Sequence, residues 1–331
     1  MTGIQQLLLT NFLSGAASDQ TATILVVAGG GGGGPPGSDA AVGGVVPTRS
    51  DGTNDIQGGR GCGGGAGGLI LLDSEFPMDA GTEYTITVGP GGTMSVKGSD
   101  SVITGGGRTL TALGGGASGC DDSKSNLMDK GGGSGGGAWY GAPSDNQIGG
   151  CAQQTALTND GIDTYSSTGF GNKGGDGNSG VPYGGGGGGA MEAGFGGSNS
   201  NGGNYGGIGK EVDILGSSGV YYAGGGASVN FEGLGGSLQA TGTTAGNIHI
   251  DHGRKGGGGF GDNTVDNTAG TALTNGVANT GGGGGSGGLG GKGVVIIRLP
   301  NAATSTTGAP SETTVGGEIA YYFTSDGTLT I

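Results

Sequence analysis

Hydrophobic and polar positions change their rhythm three times along this chain. Ile4, Leu7, Leu8 and Phe12 fall at helical spacing, with Gln5, Gln6 and Asn11 between them. Gly15 would end such a helix, and one so short must dock on something to persist. From Thr23 the pattern becomes strand-like, and the spacing predicts strands over 24–28, 68–72, 83–88, 101–104, 109–113, 220–223, 247–250 and 294–299. The first and last are apolar at nearly every position, which suits burial on both faces. They are expected to pair and close the body. At the end of the chain Ile319, Tyr321 and Phe323 alternate, Asp326-Gly327 turns, and Leu329 and Ile331 return. That reads as a two-stranded hairpin after a Thr/Ser/Pro linker. The expected organisation is an assembly segment over 1–22, a body over 23–299, and a linker with its hairpin over 300–331.

Glycine fills the spaces between these strands. It supplies 94 of 331 residues, about four times its usual share. A flexible linker is one reading of such runs. The other is an extended, three-residue-per-turn strand of the polyproline II type, whose backbone groups must pair with neighbouring chains. Without side chains such strands pack closely. Collagen is excluded, because there is no strict repeat and there are only nine prolines. The expected fold class is mostly β and irregular: glycine-rich extended segments braced by short strands, with little helix beyond a short N-terminal one.

Hydrophobic residues make up 31% and aromatic residues 5% of the chain, so an ordinary large core does not fit. The net charge of −14 argues against nucleic acid and anionic membrane surfaces, which both need basic clusters. No apolar run reaches the length of a membrane span. The N-terminus carries no Lys or Arg before Arg49 and is read as retained rather than as a signal peptide. Cys62, Cys120 and Cys151 each neighbour glycine or alanine and are expected to be small buried residues, not a disulfide framework.

Candidate chemistry is sparse. In "HIDH", His249, Asp251 and His252 cluster, but a strand would put His252 on the opposite face from the other two, and a strand end explains them. "SGGLGGKG" (286–293) imitates a phosphate loop but has Ser286 for the first glycine and Gly293 where Ser or Thr should be. It also precedes a strand, so it is rejected. "GGFGDNTVD" (258–266) resembles one calcium-binding nonapeptide without a tandem neighbour. Asp51, Asn54 and Asp55 could also ligate calcium, the one cation the sequence suggests; no other cofactor and no catalytic set is expected. The aromatic residues lie in or beside the glycine-rich stretches: Trp139, Tyr140, Tyr183, Phe195, Tyr205, Tyr221 and Tyr222. Either their rings cover bare glycine strands as a thin core, or they form a recognition surface. For the second role the candidates are Trp139 and Tyr140 with Asp145, Asn146 and Tyr165 of the following polar loop.

The ordered set "ILVVAGGGGGG" (24–34), "YTITVGPGGT" (84–93), "SDSVITGGGRTLTALGGGAS" (99–118), "GVYYAGGGAS" (219–228), "GKGVVIIRLP" (291–300) and "AYYFTSDGTLTI" (320–331) resembles the glycine-rich domain of tail-fibre-like and other virion surface proteins of tailed bacteriophages. The resemblance implies a non-enzymatic protein at the virion surface, with polyglycine-type packing and tip loops that recognise a host. It implies host attachment through a surface polysaccharide or outer-membrane protein, and a homo-oligomer, by analogy a trimer. Ile4, Leu7, Leu8 and Phe12 would then anchor the chain to other virion proteins. Capsid decoration, or a head fibre with a purely structural role, is the alternative. Ice binding is set aside because the glycine spacing is irregular.

Overall fold

Val, Ile, Leu and Thr dominate the segments that become strands, as branched side chains suit a pleated surface. A computed structural model describes residues 18–34, 61–119, 130–138, 148–154, 168–177, 184–196, 205–228, 255–261 and 274–331. In these residues the strands are β1 (Gln20–Val27), β2 (Leu69–Met78), β3 (Glu83–Thr87), β4 (Ser101–Gly105), β5 (Arg108–Ala112), β6 (Thr168–Phe170), β7 (Lys210–Glu211), β8 (Tyr221–Tyr222), β9 (Val294–Leu299), β10 (Ser305–Thr306), β11 (Ser311–Val315), β12 (Glu318–Phe323) and β13 (Gly327–Thr330). No helical element occurs among the described residues, and the fold is mostly β and irregular. The helix expected around Ile4, Leu7, Leu8 and Phe12, and the strand expected at 247–250, lie outside them.

Two sheets pack face to face. The larger has the order β11-β12-β9-β1-β2-β6 and the smaller β10-β13-β3-β4-β5. Between them lies a core of Ile24, Val26, Ile70, Leu72, Phe76, Tyr84, Ile86, Ile103, Val295, Ile297, Phe323 and Leu329. Phe76 and Tyr84 meet edge to face, with ring centroids 6.3 Å apart. The other face of the large sheet is buried too: Leu25, Val27, Leu69, Val294 and Ile296 pack against Val212, Ile214 and Tyr222 of the β7–β8 unit. β1 is therefore covered on both sides, which explains its unbroken apolar sequence. It pairs antiparallel with β9 in the register Ile24↔Ile297 and Val26↔Val295, the closure that the sequence predicts.

The C-terminal region departs from expectation. Residues 300–331 are not a linker followed by a two-stranded hairpin. β12 joins the large sheet beside β9, whereas β13 joins the small one beside β3. The chain thus crosses from sheet to sheet at Asp326-Gly327, and the Asp326 carboxylate accepts from the Val88 N–H at 2.8 Å. Both arrangements bury the same alternate residues, so the periodicity cannot tell them apart. The hairpin lies one connection earlier. β11, within the supposed linker, pairs with β12 across Gly316 and Gly317, whose φ angles of 61° and 94° favour glycine.

The glycine runs continue the strands. β1 leads into 28–34, 61–68 leads into β2, β5 leads into 113–119, β8 leads into 223–228, and 288–293 leads into β9. Successive N–H groups from Ala28 to Gly34 donate to the carbonyls of Gly68, Ser99, Gly291, Gly65, Val96, Gly288 and Cys62. Every third residue thus returns to the same neighbour, the repeat of a polyproline II-type strand. In the other direction, the carbonyls of Gly29 to Gly34 accept from Gly115, Gly92, Gly284, Ser118, Ser95 and Gly287. One run therefore has six neighbours: three antiparallel ones receive its N–H bonds and three parallel ones supply bonds to its carbonyls. The same rotation recurs from Gly63 to Gly68, whose N–H groups reach Gly185, Gly284, Gly116, Gly188, Gly281 and Leu113.

Candidate functional site

This lattice explains the absence of side chains. A Cβ built on Gly64 would run into the carbonyl oxygen of Gly31, and one on Gly31 into that of Gly116. Each residue gives up about 1 kcal/mol in backbone freedom relative to alanine, offset by a comparable net gain from each backbone hydrogen bond. The same accounting removes the phosphate-loop imitation. The N–H groups of Gly287, Gly290, Gly291 and Gly293 are held by Gly34, Gly92, Gly282 and Gly89, so none faces an anion.

The lattice gives the molecule two distinct ends. At the sandwich end lie Ala28, Gly68, Leu113 and Gly293, where the runs meet the strands. At the far end, hydrogen bonds link Gly34 to Cys62, Gly63 to Gly185, Gly119 to Gly137, Gly185 to Ala138, and Gly287 back to Gly34. Nearby links join Gly186 to Phe195, Phe195 to Tyr205, and Gly285 to Thr274. Gly34, Gly61, Ala138, Ile148, Gly196, Tyr205, Gly261 and Thr274 all lie toward this far end. The described termini meet at the opposite pole. The Asp19 carboxylate accepts from the Ala80 N–H, and Ile331 exchanges backbone hydrogen bonds with Gly81 and Thr82.

Trp139, Tyr140, Asp145, Asn146 and Tyr165 lie outside the described residues. Of the described residues that flank them, Ala138 and Ile148 belong to the far end, whereas Gln154 and Thr168 belong to the sandwich end. There Gln154 accepts from the Leu113 N–H at 2.8 Å, and Thr168 pairs with Leu71. Residues 51–55, 249–252 and 262–266 are also outside. Among the described residues no group of three acidic, histidine or cysteine side chains could hold a metal.

The aromatic residues divide between the two roles considered for them. Tyr222 belongs to the core, 3% exposed, and burial pushes its hydroxyl up to about 12. Phe195, at the far end, is 38% exposed and meets Tyr205 edge to face at 6.4 Å. Exposed Ile148 and Val96 add apolar surface near that end. Tyr221 points outward, its hydroxyl donating to Glu211 at 3.0 Å; sequence reasoning had grouped it with Tyr222, although adjacent residues of a strand face opposite ways.

The cysteines also depart from expectation. Cys62 is fully buried and disulfide-bonded, and Cys151 is exposed and free; Cys120 is outside the described residues. Among the described residues no helix is long and apolar enough to cross a membrane. Comparison with known proteins finds no match among family models, curated proteins or solved structures.

Proposed function

We propose that this chain is a surface protein of a tailed-bacteriophage virion, of the fibre or adhesin type, that works by binding rather than catalysis. Residues at its N-terminus join it to other virion proteins, and the polar loops carry host attachment. The observation behind this reading is the polarity of the lattice. Asp19 and Ile331 lie beside the turn at 79–82, while Gly34, Ala138, Gly196 and Gly261 lie at the far end. On this reading the glycine lattice is a stem between an anchor and the polar loops. Copy number would multiply weak contacts, with a homotrimer the simplest arrangement.

The test is to label purified particles with an antibody to this chain and image them. Label at the tail supports the adhesin reading. Label over the head replaces it with capsid decoration, and particles without label would overturn the virion assignment altogether.

A further inference from the structure

On the flank of the molecule, away from the far end, the outward ring of Tyr221 divides two open hollows. One, of about 400 Å³, is lined by Met191, Glu192, Ile208, Lys210, Glu211 and Tyr221. The other, of about 480 Å³, is lined by Tyr221, Lys255, Val277 and Thr280 with the bare backbone of Gly256 and Gly257. Both are of a size that takes small ligands. The dividing ring is fixed, because Glu211 accepts from the Tyr221 hydroxyl at 3.0 Å and from the Gly219 N–H at 2.7 Å.

The charges of the two hollows differ. Lys210 stands among Glu192 and Glu211 in the first, whereas Lys255 is the one charged side chain among the described residues that line the second. Neither ammonium group has a carboxylate partner among the described residues; each instead lies over an aromatic ring. Lys255 Nζ is 5.3 Å from the Tyr221 centroid and Lys210 Nζ is 5.0 Å from that of Phe170. In a chain of net charge −14, an unpaired lysine at the rim of a hollow is a local site for an anion. Met191 and Val277, 51% and 55% exposed, add apolar surface on either side.

From this we infer a binding site for an acidic oligosaccharide that spans the Tyr221 ring. Two like-sized hollows on either side of one aromatic wall match a chain of repeating units with apolar C–H faces and polar rims. The carboxylate-bearing unit occupies the Lys255 hollow, and a hydroxyl-rich neutral unit occupies the hollow where Glu211 can accept. The inference stands whether or not the chain is a virion protein, since it uses none of the far-end residues.

The experiment titrates the full chain calorimetrically with a polyuronate tetrasaccharide, its carboxyl-reduced neutral counterpart, and a tetra-aspartate peptide. The acidic sugar should bind at least about tenfold more tightly than the neutral one, the effect of one charge-assisted hydrogen bond, and the peptide should not bind. Lys255→Ala should reduce the acidic sugar to the level of the neutral one, and Tyr221→Ala should remove both. Val277→Asp, at a position 55% exposed, should weaken the acidic sugar more than the neutral one. Absence of saturable binding by the acidic sugar overturns the inference, as does equal binding of the neutral sugar or the peptide. Binding unchanged in Lys255→Ala and Val277→Asp overturns it equally.

Discussion

Gly31 donates its N–H to the Gly65 carbonyl at 2.8 Å, while the place a Cβ would take on Gly64 is filled by the carbonyl oxygen of Gly31 itself. The two runs are thus bonded and in contact along the same few atoms, which leaves no room at Gly64 for any residue but glycine. Gly64→Ala must push backbone against backbone, and the expected loss exceeds about 3 kcal/mol, in the range of severe core changes. Gly131→Ala meets the flexible end of Gln153 and, at an ordinary contact distance of 3.4 Å, the Cys151 carbonyl oxygen, and should cost less than about 1 kcal/mol. Denaturant midpoints of the two variants check the contrast.

The N-terminal boundary needs a shift. Gln20 to Ala22 belong to β1 and pair with Met78, Pro77 and Phe76, and Gln20 also accepts from the Asn301 N–H at 2.8 Å. Deleting residues 1–17 should leave the melting temperature unchanged and abolish incorporation into particles. Extending the deletion to residue 22 should lower the melting temperature as well, because it strips a paired, buried end from β1.

Alkaline pH should unfold the protein. Burial raises Tyr84, Tyr205, Tyr321 and Tyr322 above the ordinary tyrosine value of 10.0. It takes Tyr222 to about 12, with nearby Tyr322 adding in the same direction. An unfolded tyrosine loses its proton near pH 10 while the folded one keeps it, so stability is complete below that pH and falls as pH rises towards 12. Tyr222 alone accounts for about 2–3 kcal/mol of that fall. Urea midpoints taken across this window should decline, and Tyr222→Phe should flatten the decline.

Thiol reactivity should separate two cysteines. Iodoacetamide added to the native protein should modify Cys151, and Cys62 should react only after reduction and unfolding. Peptide mass spectrometry reads both sites, and labelling of native Cys62 would contradict its burial and its disulfide.

The sequence carried the pairing of β1 with β9 because both strands are apolar on two faces, and such strands have few other places to go. It concealed β11, whose residues 311–314 are all exposed and whose Ser-Glu-Thr-Thr composition reads as linker. The crossing at Asp326-Gly327 was illegible for another reason: Phe323 and Leu329 face one core in either topology, and partner choice is non-local. The lattice was legible only in kind. Glycine marks close approach, but it has no side chain to say which run neighbours which, so the six-fold surroundings of 28–34 emerge from the backbone alone. The outward placement of Tyr221, by contrast, was readable from strand alternation with Tyr222.

Amide hydrogen exchange over residues 29–34 and 282–288, measured beside β1 by mass spectrometry, tests the ordered lattice most directly. If the glycine runs are hydrogen-bonded strands, their amides should be protected as strongly as those of Ile24 to Val27 and should open with them in one cooperative unit. Exchange in these runs as fast as in an unstructured glycine peptide, with β1 still protected, would mean that the runs are slack connectors and that the stem does not exist.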